Sequence, residues 1–247
     1  MNRLFRLALI FVVLAVAGFA AVRLFVDHRP AAPAPAASPT PKPSPGGLTL
    51  AAAQRSAFPD GMEARTPEGS RMVYADGQLV DTPFGPVLVN PGTIPDAAHA
   101  EGGAIAIHYL RQDTGGIHVT RALPFAVRSG SSGSISEWSV SRTIGDLPVV
   151  YTEGGGTWQG YSCSFATLTE LRPAGPAELT TIQVMASDDG AVPSEQSKTT
   201  VGKIVDVVPN RSFVVRFTGA RNFDAHYVRR GERYVPEGGE RDTLGGC

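Results

Sequence analysis

Residues 72–236 alternate between apolar and polar side chains in short stretches, with the period of two that is typical of half-buried strands. The clearest case is Ala104–Leu110, in which Ile105, Ile107 and Tyr109 share one face. Turns that contain glycine or proline separate these stretches, and no long amphipathic helix pattern interrupts them. We therefore predict an all-β fold, an antiparallel β-sandwich or barrel-like domain.

A second alternating stretch, Ile117–Val127, follows the first after Asp113-Thr114-Gly115, and we predict that the two form a hairpin. A three-residue loop would place Gln112 opposite Gly116 and keep the apolar faces of both arms together. A two-residue Thr114-Gly115 turn would set apolar residues against the wrong face. The pattern therefore favours the three-residue loop.

The sequence also predicts a short helix, two turns and a set of buried side chains. Ala51–Phe58 is compatible with a short helix inside an otherwise irregular lead-in, residues 48–71. Asp76-Gly77 is typical of a hairpin turn, and Glu153-Gly154-Gly155-Gly156 is interpreted as a turn between two strands. The apolar phase of the strands predicts that these side chains are largely buried: Trp138, Val140, Ile105, Ile107, Val119, Leu123, Phe125, Tyr161, Phe165, Ile204 and Val214.

The first 47 residues lack the pattern of a domain. Residues 1–6 are basic, and residues 7–26 form an apolar run that a snorkelling Arg23 extends to the length of a membrane span. We predict a short cytoplasmic N-terminus and an uncleaved transmembrane signal-anchor helix. Cleavage of the same run as a secretory signal is the alternative. The proline-rich residues 27–47 are predicted to be an extended, semi-rigid linker.

The β domain is expected to cross the membrane whether the apolar run is kept as an anchor or cleaved as a secretory signal. The predicted place is the inner membrane, crossed once by residues 7–26, with residues 72–236 in the periplasm and residues 237–247 as a flexible tail. The expected partners are the membrane itself, through residues 7–26, and an envelope protein. Secretion after cleavage is the alternative.

Composition narrows the possible functions. Twenty-two basic residues balance 23 acidic ones, so no basic excess indicates nucleic-acid binding. The two cysteines, Cys163 and Cys247, are too few for a disulfide framework or a thiolate zinc site. They could pair with each other in an oxidising compartment; the alternative is one buried thiol and one terminal thiol.

Three motifs are candidates for catalytic or metal sites. Asp113-Thr114-Gly115 has the letters of an aspartic protease motif, but Arg111 and Gln112 precede it where those enzymes have apolar residues, so a hairpin loop is favoured. The Ser/Gly run within Ser129–Ser136 lacks a nucleophile elbow and is interpreted as a loop. No catalytic residue and no cofactor are predicted.

The third motif is a pair of histidines. In the hairpin with the three-residue loop, His108 and His118 lie diagonally on one sheet face, close enough to share a metal ion. A third ligand would come from His99, Glu101 or His226. The alternative is two half-exposed histidines on a solvated face.

Charge is segregated along the second half of the chain. Val150–Glu195 carries six acidic residues and one arginine, whereas Lys203–Arg233 carries seven basic and three acidic residues. These two segments could neutralise each other in the fold. Alternatively, Arg229, Arg230 and Arg233 form a basic edge that meets an acidic partner or anionic headgroups.

These observations favour a membrane-tethered periplasmic β domain of the bacterial cell envelope that acts as a non-enzymatic interaction or structural module. The alternative is an envelope hydrolase, metal-dependent or of the aspartic type, whose catalytic groups are scattered in sequence.

Overall fold

The computed structural model describes residues 47–239, 243 and 244. These residues form one α-helix, α1 (Leu50–Ala57), one 3-10 turn (Ser194–Gln196) and fourteen strands. The strands are β1 (Glu63–Arg65), β2 (Arg71–Tyr74), β3 (Gln78–Thr82), β4 (Gly85–Thr93), β5 (Gly103–Asp113), β6 (Gly116–Ser129), β7 (Glu137–Ser141), β8 (Val149–Trp158), β9 (Tyr161–Arg172), β10 (Gly175–Ser187), β11 (Thr199–Val208), β12 (Ser212–Gly219), β13 (Phe223–Arg230) and β14 (Arg233–Pro236).

Several predicted segments lie outside the described residues. These are residues 1–6, the membrane segment 7–26, the linker 27–47 except Gly47, and most of the tail 237–247. Within the described part of the chain, no helix has the length and apolarity that a membrane crossing requires.

The strands form two antiparallel sheets, which confirms the predicted all-β fold. Sheet 1 has the order β1-β2-β4-β5-β6, with β3 also paired to β4. Sheet 2 runs β14-β13-β12-β11-β10-β9-β8-β7, so every strand pairs with its neighbours in sequence. The sheets pack as a sandwich, because one apolar cluster takes side chains from both.

This inter-sheet core depends on β5, the strand with the clearest alternation. Ile105, Ile107 and Tyr109 share one face, as predicted, and they pack there against Val150 and Leu171 of sheet 2. The opposite face of β5 is also buried, so Gly103–Leu110 is covered on both sides.

The second face of β5 is covered by the lead-in segment. Helix α1 begins after Thr49, whose hydroxyl accepts a hydrogen bond from the Ala52 amide at 3.2 Å. Leu48 and Ala53 pack against Leu88 and Leu110 of sheet 1. Residues 48–71 are therefore part of the sandwich, including the short helix that the sequence suggests and strand β1.

Sheet 2 curls into a half-barrel with its own core on the concave face. Strand β14 returns to contact β10, and the Tyr234 hydroxyl donates to the Ile144 carbonyl at 3.0 Å. Phe213 stacks on Tyr227 with 5.1 Å between ring centroids. This core is larger than the inter-sheet core and does not need sheet 1 to cover it.

The predicted hairpin at Asp76-Gly77 is wrong. Strands β2 and β3 do not pair with each other; both lie along β4, with Tyr74 opposite Gly92 and Gln78 opposite Val89. A side chain on Gly77 would overlap the Val89 carbonyl oxygen. The glycine therefore permits close approach to β4 and does not form a two-strand turn.

The β5–β6 hairpin exists, but its predicted register is wrong. The turn has two residues, Thr114-Gly115, and places Arg111 opposite His118. An extra residue in β6, Thr120, then shifts the pairing, so that Ile107 lies opposite Leu123. This extra residue, a β-bulge, brings the apolar side chains of β5 and β6 back onto the same face. The prediction had matched the same faces by means of a three-residue loop.

Cys163 lies in β9, is buried, and is disulfide-bonded. The other cysteine of the chain, Cys247, lies outside the described residues. The alternative of a buried free thiol at Cys163 is therefore wrong.

Replacing Ile107, which is fully buried in the inter-sheet core, with alanine should lower the free energy of unfolding by about 2–5 kcal/mol, because the cavity cannot fully collapse. Val208→Ala, at a side chain that is 44% exposed, should change it by less than about 0.5 kcal/mol. Denaturant titration measures both values. Equal effects would show that the inter-sheet core is wrongly placed.

Candidate functional site

The space between the sheets continues beyond the inter-sheet core as an open groove of about 450 Å3. Its floor is the outer face of sheet 2, where Thr169, Thr167 and Phe165 follow the core residue Leu171 at every second position of β9. Its wall is Ala126–Gly130, the end of β6 and the next residue. Exposure rises along this floor from 0% at Leu171 to 37% at Phe165, so the groove opens towards Phe165.

The groove ends at the β8–β9 hairpin, whose turn is not where the sequence predicts it. Strand β8 runs through Glu153-Gly154-Gly155-Gly156, and the chain reverses at Gln159-Gly160. Both turn residues have positive φ, 53° and 83°, as in the two-residue turns that match strand twist. This register places Trp158 opposite Tyr161.

Two glycines of β8 lie within the strand because other groups fill the space of their side chains. A Cβ on Gly154 would overlap the backbone nitrogen of Gly130, so its absence lets the loop after β6 pack on sheet 2. A Cβ on Gly156 would lie 2.5 Å from the Cη2 atom of Trp158. The indole ring is therefore seated on Gly156.

Three aromatic side chains are exposed at this end of sheet 2. Trp158 is 51%, Tyr161 50% and Phe165 37% exposed, and Trp158 and Phe165 line the groove. The prediction that Tyr161 and Phe165 are buried is wrong. They share a face of β9 with the buried Leu171, but the inter-sheet core does not extend as far as their end of the strand. The exposure of Trp158 is not predicted by the apolar pattern of the sequence.

The charged groups at the groove are paired. Arg128 donates to both carboxylate oxygens of Glu68, at 2.9 and 3.1 Å, and this hydrogen bonding lowers the pKa of Glu68 to about 2. Glu178 accepts a hydrogen bond from Arg233. No other charged residue lines the groove in the described part of the chain.

Hydroxyl groups make up the other polar side chains of the lining. Thr167 and Thr181 lie opposite each other on β9 and β10, with 3.0 Å between their Oγ1 atoms, and Ser129 lies in the wall. Hydroxyls both donate and accept hydrogen bonds. The groove thus combines aromatic rings with hydroxyls and without unpaired charge, which suits the binding of a small or chain-like ligand.

The Ser/Gly segment 129–136 borders the groove and brings Ser132 to His99. The Ser132 Oγ atom lies 3.4 Å from His99 Nδ1, and Ser132 has a φ of 48°. His99 Nε2 donates to the Thr157 carbonyl at 2.9 Å, because a carbonyl can only accept; in the neutral imidazole, Nδ1 is then the acceptor for the Ser132 hydroxyl. The His99 ring also meets Trp158 edge-on, with 5.7 Å between centroids.

Ser132 and His99 are positioned relative to each other like a nucleophile and its general base. The backbone around them, however, does not suit acyl transfer. The amides of Ser132, Gly133 and Ser134 all donate to backbone carbonyls. They are therefore not directed at a site where an oxyanion would form. The observed contacts instead hold the His99 ring beside Trp158.

Asp113 stabilises the β5–β6 turn. Its exposed carboxylate accepts from the Gly115 amide at 2.9 Å and lies 3.1 Å from His118 Nε2. The Gly115 hydrogen bond is the main cause that lowers the pKa of Asp113, followed by His118 and Arg111. A carboxylate in this exposed turn lacks a second carboxylate with which to share a proton, within the contacts that the structure describes.

The prediction that His108 and His118 share a face is wrong. His118 lies opposite Arg111 and His108 opposite Ala122, which puts the two rings on opposite faces of the hairpin. His108 is buried edge-on against Phe58, at 4.8 Å, with its Nδ1 unpaired. Residues 47–239, 243 and 244 contain no cluster of three His, Cys, Asp or Glu side chains able to hold a metal ion.

The basic residues of the β13–β14 hairpin have different surroundings. Arg229 lies 3.8 Å from the buried carboxylate of Glu170, and Arg233 pairs with Glu178. Both acidic partners belong to the acidic segment, so these pairs agree with the interpretation that the two segments neutralise each other. Arg230 is exposed.

No family model, no curated protein and no solved structure matches this chain. The fold and the groove therefore define the class of protein by themselves. It is an antiparallel β-sandwich whose second sheet forms a half-barrel and carries an open, aromatic-lined groove on its outer face.

Burial lowers the pKa of His108 to about 4 from its ordinary value of 6.5. The unfolded chain therefore binds a proton near pH 6.5 that the folded chain binds only near pH 4, and stability should fall as the pH drops through this window. The loss should reach on the order of 2–3 kcal/mol at pH 4.

His108→Leu should remove this part of the pH dependence, whereas the exposed His118→Leu should retain it. Unfolding free energies from denaturant titrations at pH 4, 5, 6 and 7 give the comparison. If the unfolding free energy of His108→Leu depended on pH as strongly as that of the parent protein, the His108 imidazole would have to be solvated.

Proposed function

We propose that this chain is a non-enzymatic binding module of the bacterial cell envelope and that the groove is its ligand site. The observation that carries this proposal is the half-exposed indole of Trp158, seated on Gly156 at the open end of the groove. Large exposed aromatic side chains are enriched at binding sites, and here a glycine keeps the ring in one place.

The proposed location is the inner membrane, with the sandwich held in the periplasm by residues 7–26 and the proline-rich linker. The apolar run and the linker composition support this arrangement. The disulfide at Cys163 supports an oxidising compartment, because disulfides are rare in the cytosol. The proposed protein partner is another component of the envelope.

The binding proposal is tested by hydroxyl-radical footprinting of the full chain in native envelopes and after purification. Trp158 and Phe165 should be oxidised several-fold more slowly in envelopes, because a ligand covers the groove. The exposed His226, outside the groove, should react equally in both samples and serves as the control. Equal rates at Trp158 in both samples would refute the binding site.

The location is tested separately by alkylating thiols after cells are quenched in acid and denatured, so that burial no longer protects Cys163. Without a reductant this cysteine should resist the maleimide, because an exported chain acquires its disulfide. The same reagent after reduction and denaturation provides the control for accessibility. A chain that is alkylated without reduction would place the domain in the cytosol.

A further inference from the structure

We infer that the ligand of the groove is a neutral, β-1,4-linked glycan chain. The inference rests on the proposed function and adds the chemical class of the ligand. Its basis is the combination of aromatic faces, hydroxyl groups and paired charges in one lining.

The aromatic rings suit the apolar side of a sugar. A pyranose in a β-1,4-linked chain presents a face of C–H groups that packs against a flat aromatic ring, while its hydroxyls remain at the edge. Trp158 offers such a ring, fixed against Gly156 and His99. Phe165 offers a second along the same face of sheet 2.

The polar lining suits the edge of a sugar. Thr167, Thr181 and Ser129 present hydroxyls to the groove, and hydroxyls can match ligand groups that donate or accept. A charged ligand would need an unpaired opposite charge to offset its desolvation. Arg128 and Glu178 do not provide one, because Glu68 and Arg233 already pair with them.

An extended peptide is the competing occupant, since it could add to the edge strand β6. The edge is interrupted where it approaches the groove. Pro124 lacks an amide hydrogen, and the pairing of β6 with β5 is irregular between Leu123 and Val127. A continuous ladder of main-chain hydrogen bonds is therefore disfavoured beside the groove.

The test uses the full chain in lipid nanodiscs, titrated calorimetrically with chitohexaose and with cellohexaose. At least one should bind saturably.

Trp158→Ala should weaken binding about tenfold or more, because stacking on the indole is lost. Gly156→Ala should also weaken it, because the new methyl group displaces the ring while every groove side chain is kept. Val235→Ala, at an exposed site outside the groove, is the matched control and should bind as the parent does.

Trp138→Phe leaves Trp158 as the single tryptophan, so a saturable fluorescence change in that variant reports contact at the groove. Absence of binding by both oligosaccharides would overturn the glycan inference, and so would binding that survives Trp158→Ala. Binding of an uncharged alternating peptide in their place would identify strand addition instead. Protection of Trp158 in envelopes combined with no glycan binding would leave the binding module standing and reject only its ligand class.

Discussion

The arrangement of the groove depends on a close approach between two backbones. Gly130, in the loop after β6, packs so tightly on Gly154 of β8 that any side chain at position 154 would overlap it. This contact draws the end of sheet 1 onto the outer face of sheet 2. The Ala126–Gly130 wall and the β9 floor therefore face each other at a fixed separation, and the Ser/Gly segment and His99 lie beside Trp158.

Alternation alone predicted the sandwich well and its details poorly. The apolar face of β5 follows directly from Ile105, Ile107 and Tyr109, because a shift by one residue would turn all three large side chains away from sheet 2. The β5–β6 register depends on one extra residue, Thr120, that the apolar pattern does not reveal. A bulge and a longer loop align the apolar faces of β5 and β6 equally well, so the sequence alone favoured the loop, which is wrong.

The groove was missed for a related reason. Three consecutive glycines are usually a turn, and that interpretation hid a strand whose glycines serve close packing. The better signal was Trp158-Gln159-Gly160-Tyr161, where a glycine at the second turn position is flanked by two aromatic residues. Which neighbour fills the space above Gly154 is a tertiary fact that no local pattern encodes.

The order of strands in sheet 2 has a consequence for how the domain reaches this structure. Each of its eight strands pairs with the strand next to it in sequence, so most pairings close only a short loop. Sheet 1 departs from this order, since β2 pairs with β4. A meander with local contacts can assemble progressively and rapidly. Each sheet can thus form from contacts that are close in sequence, whereas the inter-sheet core joins residues as far apart as Ile105 and Leu171 and closes the longest loops.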